Sequence, residues 1–208
     1  MSTPQLNPTA KSNRRHFHTI GAAAVLVLAI LPASTTAAPG GTRTREPRIT
    51  FLDQPTAQQR EIITWAVDRY RAAGLQLPDL TISFPALCSG KKALYHVGRR
   101  SIDFCRMNRR TVLHEFAHAW DDTSGAVDRA TFLELRGLTV WWGGTDMPSD
   151  EQGAEQLAQV VAWGLMDVDT RGVPSFPDNS VGELTKSFVM ITGGVKPRQP
   201  ESTATSQS

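Results

Sequence analysis

Apolar positions change their period several times along the chain, and each change marks an element. Ile49-Thr50-Phe51-Leu52 reads as a short strand. Asp53 and Pro55 then open a helix whose face carries Ile62, Ala66, Tyr70 and Ala73 and which ends at Gly74. Runs at Leu80–Phe84, Ala93–Val97 and Ser101–Cys105 predict three more strands, the last two joined as a hairpin by Gly98-Arg99-Arg100. From Arg109 to Trp120 there is no Gly or Pro, Asn108 is a candidate N-cap, and Val112, Leu113, Phe116, Ala117 and Trp120 make the segment largely apolar. A buried helix is expected there. Further helices are predicted at 126–137, from Ser149 to about Met166, and at 181–192, with Val140-Trp141-Trp142-Gly143-Gly144 as an aromatic turn after the first of these. The order predicts an α+β domain with a small sheet beside the 109–120 helix. No internal repeat is visible.

Both ends depart from this pattern. Lys11, Arg14 and Arg15 precede an apolar run from Ile20 to Leu31, followed by the small residues of Ala33–Ala38, which is the order of a signal peptide over residues 1–37. The run is short for a transmembrane span and no cysteine follows it to carry a lipid, so export to the outside without a stable membrane anchor is expected. Asn13-Arg14-Arg15-His16-Phe17 resembles a twin-arginine signal, while His18 stands where that signal has an apolar residue; the general secretory route stays open beside it. Residues 38–48 read as a mobile leader, 49–195 as the folded domain and the polar segment 196–208 as a disordered tail.

Composition adds two constraints. With 40% hydrophobic and 20% charged residues, the 208-residue chain is of ordinary globular type and sized for one domain. Removing residues 1–37 takes away three of the 22 basic residues and none of the 20 acidic ones, so the mature chain has 19 against 20 and its formal charge is −1 rather than +2. The basicity belongs to the signal. One local cluster remains, Lys91, Lys92, Arg99, Arg100, Arg106, Arg109 and Arg110, which could face an anionic wall polymer or an acidic substrate, or could simply be a solvated face. No aromatic residues are interleaved in the manner of a nucleic-acid-binding surface, so no nucleic-acid partner is expected. Cys88 and Cys105 are the only cysteines, and an oxidising compartment favours one disulfide between them over two free buried thiols. Such a bridge contributes roughly 3 kcal/mol by constraining the unfolded chain.

The chemistry lies in His114-Glu115-Phe116-Ala117-His118. On a helix, residues four apart share a face, so two neutral imidazoles can bind one zinc ion while Glu115 reaches a water on the same metal. A catalytic zinc needs a third protein ligand and an open position. Of the five histidines, His16 and His18 fall in the signal, which leaves His96 or a carboxylate. Asp122 lies one helical turn past His118, where a solvated or capping role is the plainer reading. Ser149 and Gln152 stand at capping-box spacing before an apolar run, and at about 100° per residue Ala154, Leu157, Ala158, Val161, Ala162 and Leu165 form its buried stripe. Glu151 falls nearer the centre of that stripe than Glu155 and is the better inward-facing ligand. Glu155 could orient a ligand histidine instead, and the two could exchange roles.

With those residues in view, the chain resembles the gluzincins, in which a His-Glu-x-x-His helix is followed by a helix bearing a glutamate ligand. Glu151-Gln152-Gly153-Ala154-Glu155-Gln156-Leu157-Ala158 fits the Glu-x-x-Ala-Asp/Asn-x-x-Ala frame of minigluzincins and CAAX-type membrane proteases, with Glu155 where Asp or Asn is usual. The chain is also similar to small secreted actinobacterial metallopeptidases over about residues 49–193. The resemblance implies a zincin-like fold, with a small mixed sheet whose edge strand lies beside the active helix. It also implies one zinc ion on His114, His118 and Glu151, a peptide or protein substrate, and hydrolysis of the peptide bond with Glu115 as general base. An edge strand at Ala93–Val97 or Ser101–Cys105 would then pair with the substrate, and Tyr95 and His96 are candidates for steadying the oxyanion. Two other expectations stand beside this one: a secreted non-catalytic module with a closed zinc site completed by His96 or Asp122, and a zinc amidase acting on peptidoglycan.

Overall fold

The protein is described here by a computed structural model that covers residues 45–88, 90–144, 146–167 and 180–198. The expected signal peptide and most of the leader and tail lie outside these described residues. Among them the elements run β1 (Ile49–Phe51), α1 (Ala57–Ala72), β2 (Leu80–Ser83), β3 (Ala93–His96), β4 (Ser101–Phe104), α2 (Arg109–Ser124), α3 (Arg129–Arg136), a 3-10 turn (Ser149–Glu151), α4 (Gly153–Leu165) and α5 (Val181–Ile191). The class is the expected α+β.

The four strands form one mixed sheet in the order β1-β2-β4-β3. β1, β2 and β4 are parallel, and β3 folds back antiparallel on β4. A parallel neighbour requires a crossover, and α1 supplies it between β1 and β2. Its N-terminus is closed by a capping box, in which Thr56 accepts from the Gln59 N–H and Gln59 accepts from the Thr56 N–H. The hairpin between β3 and β4 turns through Gly98 (φ 73°) and Arg100 (φ 53°). That left-handed backbone is free for glycine and mildly strained for arginine. β4 is internal, so β3 alone carries the free edge next to α2. The sheet's inward residues Leu80, Ile82, Ile102 and Phe104 meet Val112, Leu113, Phe116 and Ala117 of α2, and Leu157, Ala158, Val161 and Leu165 of α4 complete the buried core. Tyr70 of α1 is fully buried and its hydroxyl donates to the Leu113 carbonyl at 2.7 Å, which satisfies the one polar atom that its ring brings inside.

Cys88 and Cys105 are joined, with Cα atoms 5.8 Å apart. The bridge ties the loop after β2 to the end of β4, three residues before the Asn108 cap of α2. At the other end of the domain, the last residues of the expected leader are engaged: the Arg45 guanidinium and the Arg48 N–H both reach Asp79 at 2.8 Å.

The 149–166 segment departs from its expected form. In place of one helix with Ser149 and Gln152 as its capping box, a 3-10 turn is followed by Gln152 in extended backbone (φ −104°, ψ 125°), and α4 begins at Gly153. The reason is tertiary. The Gln152 amide is taken by the aromatic turn, accepting from the Gly143 N–H at 3.1 Å and donating to the Met147 carbonyl at 2.9 Å. The first N–H groups of α4 donate to the same turn, Gly153 to Val140 O at 2.9 Å and Ala154 to Trp141 O at 3.0 Å. Backbone carbonyls of a distant segment do the work of a cap. The break at Gln152 also destroys the angular phase on which Glu151 was placed in the stripe.

Candidate metal centre

α2 provides two of the three groups at the site. Asn108 caps it through the Thr111 N–H at 2.9 Å, Gly125 ends it in the left-handed conformation, and the helix between is uninterrupted. His114 and His118 therefore meet edge to face one turn apart, their ring planes at 89° and their Nε2 atoms 3.2 Å from each other. The third group is Glu155, in the first turn of α4, the helix most extensively packed on α2. Its Oε2 lies 3.2 Å from His114 Nε2 and its Oε1 3.5 Å from His118 Nε2. Glu151 is exposed in the 3-10 turn and does not join them, so Glu155 stands where Glu151 was expected and Glu151 takes neither anticipated role.

These three residues can hold a metal ion. Atoms about 2.0–2.2 Å from a tetrahedral zinc lie about 3.3–3.6 Å from one another. The two imidazole nitrogens are 3.2 Å apart, each has a Glu155 oxygen within 3.5 Å, and one ligand atom from each residue can be chosen so that all lie within 4.8 Å of one another, a spread that small side-chain shifts would close onto an ion. Burial alone would raise the Glu155 carboxyl, but the two imidazoles beside it hold it well below its ordinary value, so it stands ready as an anion. The outer ring nitrogens, Nδ1 of His114 and His118, are buried without a hydrogen-bond partner among the described residues. Ring orientation is set by packing instead: Trp142 lies 5.4 Å from the His118 ring and Tyr95 stacks on it at 6.4 Å, centroid to centroid.

Glu115 is buried beside the cluster at 7% exposure. Burial pushes its carboxyl above the usual range. His114 opposes that shift, Glu155 adds to it, and a hydrogen bond from the Tyr95 backbone N–H opposes it again. A carboxylate so placed is a stronger base than one in water.

A groove of about 760 Å³ opens over the cluster. β3 and the Lys91-Lys92 segment before it form one wall, and Trp142, Gly143 and Gly144 of the aromatic turn with Met147 form another. The turn is fixed from beneath. Trp141 packs edge-on against Phe132 at 5.7 Å, and its indole N–H donates to Asp121 at 3.1 Å; Asp121 also accepts from Arg129 at 3.0 Å. Trp142, 36% exposed, is thereby held at the groove.

The other anticipated residues fall elsewhere. His96 alternates to the opposite face of the sheet, where its Nε2 meets Asp103 at 2.9 Å, and it does not line the groove. Tyr95 faces α2, but its hydroxyl donates to Asp122 at 2.7 Å, and burial followed by that bond pushes its pKa well up. Neither is free to steady an oxyanion in this arrangement. Asp122 also accepts the Gly98 N–H at 2.8 Å, so both anticipated fourth ligands are committed away from the cluster. Arg110, named from the sequence only as a member of the basic cluster, and Gln159, not named at all, line the groove one helical turn from His114 and Glu155 respectively. The four-residue spacing 110-114-118 and 155-159 was the available signal.

Comparison of the chain with protein-family models, curated proteins and solved structures finds no match.

Proposed function

We propose that the chain is an exported zinc metallopeptidase of gluzincin type, with a zincin-like arrangement of edge strand, His-Glu-x-x-His helix and glutamate-bearing helix. The observation that carries this is the convergence of His114 Nε2, His118 Nε2 and the Glu155 carboxylate, with buried Glu115 beside them in an open groove. The disulfide supports export.

His114, His118 and Glu155 would hold the ion. Bound there, zinc supplies Lewis acidity, acidifying water and polarising a carbonyl. Glu115 takes the proton from the attacking water and returns it to the leaving amine nitrogen. The Tyr95 N–H holds the Glu115 carboxylate toward the groove while the rest of the β3 edge is available to an extended chain. Trp142 walls the cleft on the other side. A closed structural zinc site would need a fourth ligand, and the two residues anticipated for that role are engaged elsewhere, which favours the catalytic reading.

The test is incubation of the zinc-loaded protein with a diverse peptide library, with new termini read by mass spectrometry. The parent protein cleaves, Glu115→Gln keeps its zinc and loses about 10²–10⁴-fold in turnover, and His118→Ala loses the metal. Wild-type activity in Glu115→Gln would overturn the mechanism. Release of peptides from peptidoglycan without cleavage of linear peptides would assign the same chemistry to a wall amide.

A further inference from the structure

The basic cluster that the sequence shows as one run is divided by the fold. Arg109 leaves the groove, its guanidinium 5.0 Å over the Trp65 ring. Arg100 lines a separate cavity beside Trp120 at the other end of α2. Among the described residues, Lys91, Lys92 and Arg110 are the members of the cluster that line the groove above the candidate metal ligands, and the acidic residues lining it are Glu115 and Glu155.

Arg110 is the informative one. It stands four residues before His114, on the same face of α2, and it is half-buried. Among the described residues its hydrogen-bond partner is neutral, the Gln159 Oε1 atom at 2.7 Å, and no ion pair joins it, Lys91 or Lys92 to a carboxylate. Burial draws its pKa below the ordinary arginine value, the mark of a charge that its surroundings under-compensate. Arginine remains charged even so. Gln159, one turn beyond Glu155 on α4, fixes one arm of the guanidinium, and both residues line the groove.

We propose that Arg110, braced by Gln159 and flanked by Lys91 and Lys92, is a carboxylate-binding subsite, so that the favoured substrates present a carboxylate one helical turn from the metal ligands. This rests on the peptidase reading. A planar fork beside an amide suits the planar, two-oxygen geometry of a carboxylate, and a single half-buried guanidinium in a cleft is a point receptor rather than the extended stripe that a polyanion would need. The carboxylate can be an acidic side chain or the free C-terminus of a peptide, and the two sources make different demands on substrate length.

The test separates binding from turnover. In the Glu115→Gln background, affinity is measured for three sets of matched peptides: an internal acidic residue with an amidated end, a neutral sequence with a free C-terminus, and a neutral sequence with an amidated end. At least one carboxylate-bearing set binds about tenfold more tightly than the neutral amide, the preference weakens with salt, and the set that gains names the source. Arg110→Gln removes most of that preference and Arg110→Lys retains part of it, with circular dichroism and unfolding midpoints confirming that both fold. Equal affinity for all three sets, or a preference unchanged in Arg110→Gln, would overturn the subsite. So would inorganic polyphosphate binding more tightly than any peptide with the same dependence on Arg110, which would indicate a polyanion surface. Cleavage of neutral and acidic peptides at equal efficiency would leave the peptidase standing without the subsite. The binding preference without any cleavage would leave the subsite standing without the peptidase.

Discussion

The two helices that meet at the metal-ligand cluster begin in different ways. α2 is closed at its start by its own neighbour, Asn108, and at its end by Gly125, and its side chains keep one phase from Arg109 to Ser124. α4 has no side-chain cap; its first N–H groups donate to Val140 and Trp141, and its start is packed so closely that a Cβ on Gly153 would lie 2.7 Å from Leu133 and 2.8 Å from Trp141. One ligand-bearing helix is specified locally and the other by a turn that lies far from it in sequence. The proposed general base and two of the proposed ligands therefore sit on the self-sufficient element, and the third proposed ligand depends on the aromatic turn.

Perturbing that turn should hurt most. Asp121→Ala leaves the Trp141 indole N–H and the Arg129 guanidinium without their shared acceptor; because Arg129 keeps access to water, the expected loss is about 3 kcal/mol of stability, read from denaturant unfolding. Zinc affinity should fall with it, since the turn seats α4. Gly153→Ala comes next, about 1–3 kcal/mol from overpacking, again with weakened zinc binding. Asn108→Ala costs about 1 kcal/mol but leaves the phase of α2, and so the zinc affinity, nearly unchanged. If Asn108→Ala weakened zinc more than Gly153→Ala did, the contrast between the two helices would fail.

The smallest effect lies on the opposite face of the sheet. Partial burial works to raise the Asp103 carboxyl, but the Ser83 hydroxyl and His96 hold it below its ordinary value. A carboxyl whose folded pKa is depressed adds stability that is present above its unfolded value, about 3.9, and is lost as the pH falls through the folded one. The stability difference between the parent and Asp103→Asn should accordingly be largest near neutral pH and shrink in acid, as followed by unfolding midpoints across pH. A difference that grew in acid would contradict the assignment.

What could be read from the chain follows the same division. The convergence of His114 and His118 on one face of α2 was legible because a cap, an unbroken apolar run and a four-residue spacing are all local. The disulfide was legible from two cysteines in a chain expected to be exported. Tyr95 and His96 were named together, yet a two-residue period lets only one of them face α2, and Asp122 claims its hydroxyl. Glu151 fitted the helical stripe only while Ser149 was taken as the start of that helix. The bonds that move the start to Gly153 come from Val140 and Trp141, and no pattern within 149–166 contains them.

The central claim is that His114, His118 and Glu155 together hold a zinc ion, and the most direct measurement is the zinc affinity of Glu155→Gln set beside that of Glu151→Gln, by competition with a chromophoric chelator. Glu155→Gln is expected to bind zinc at least about tenfold more weakly than the parent while Glu151→Gln matches it. The reverse order, or two variants indistinguishable from the parent, would contradict it.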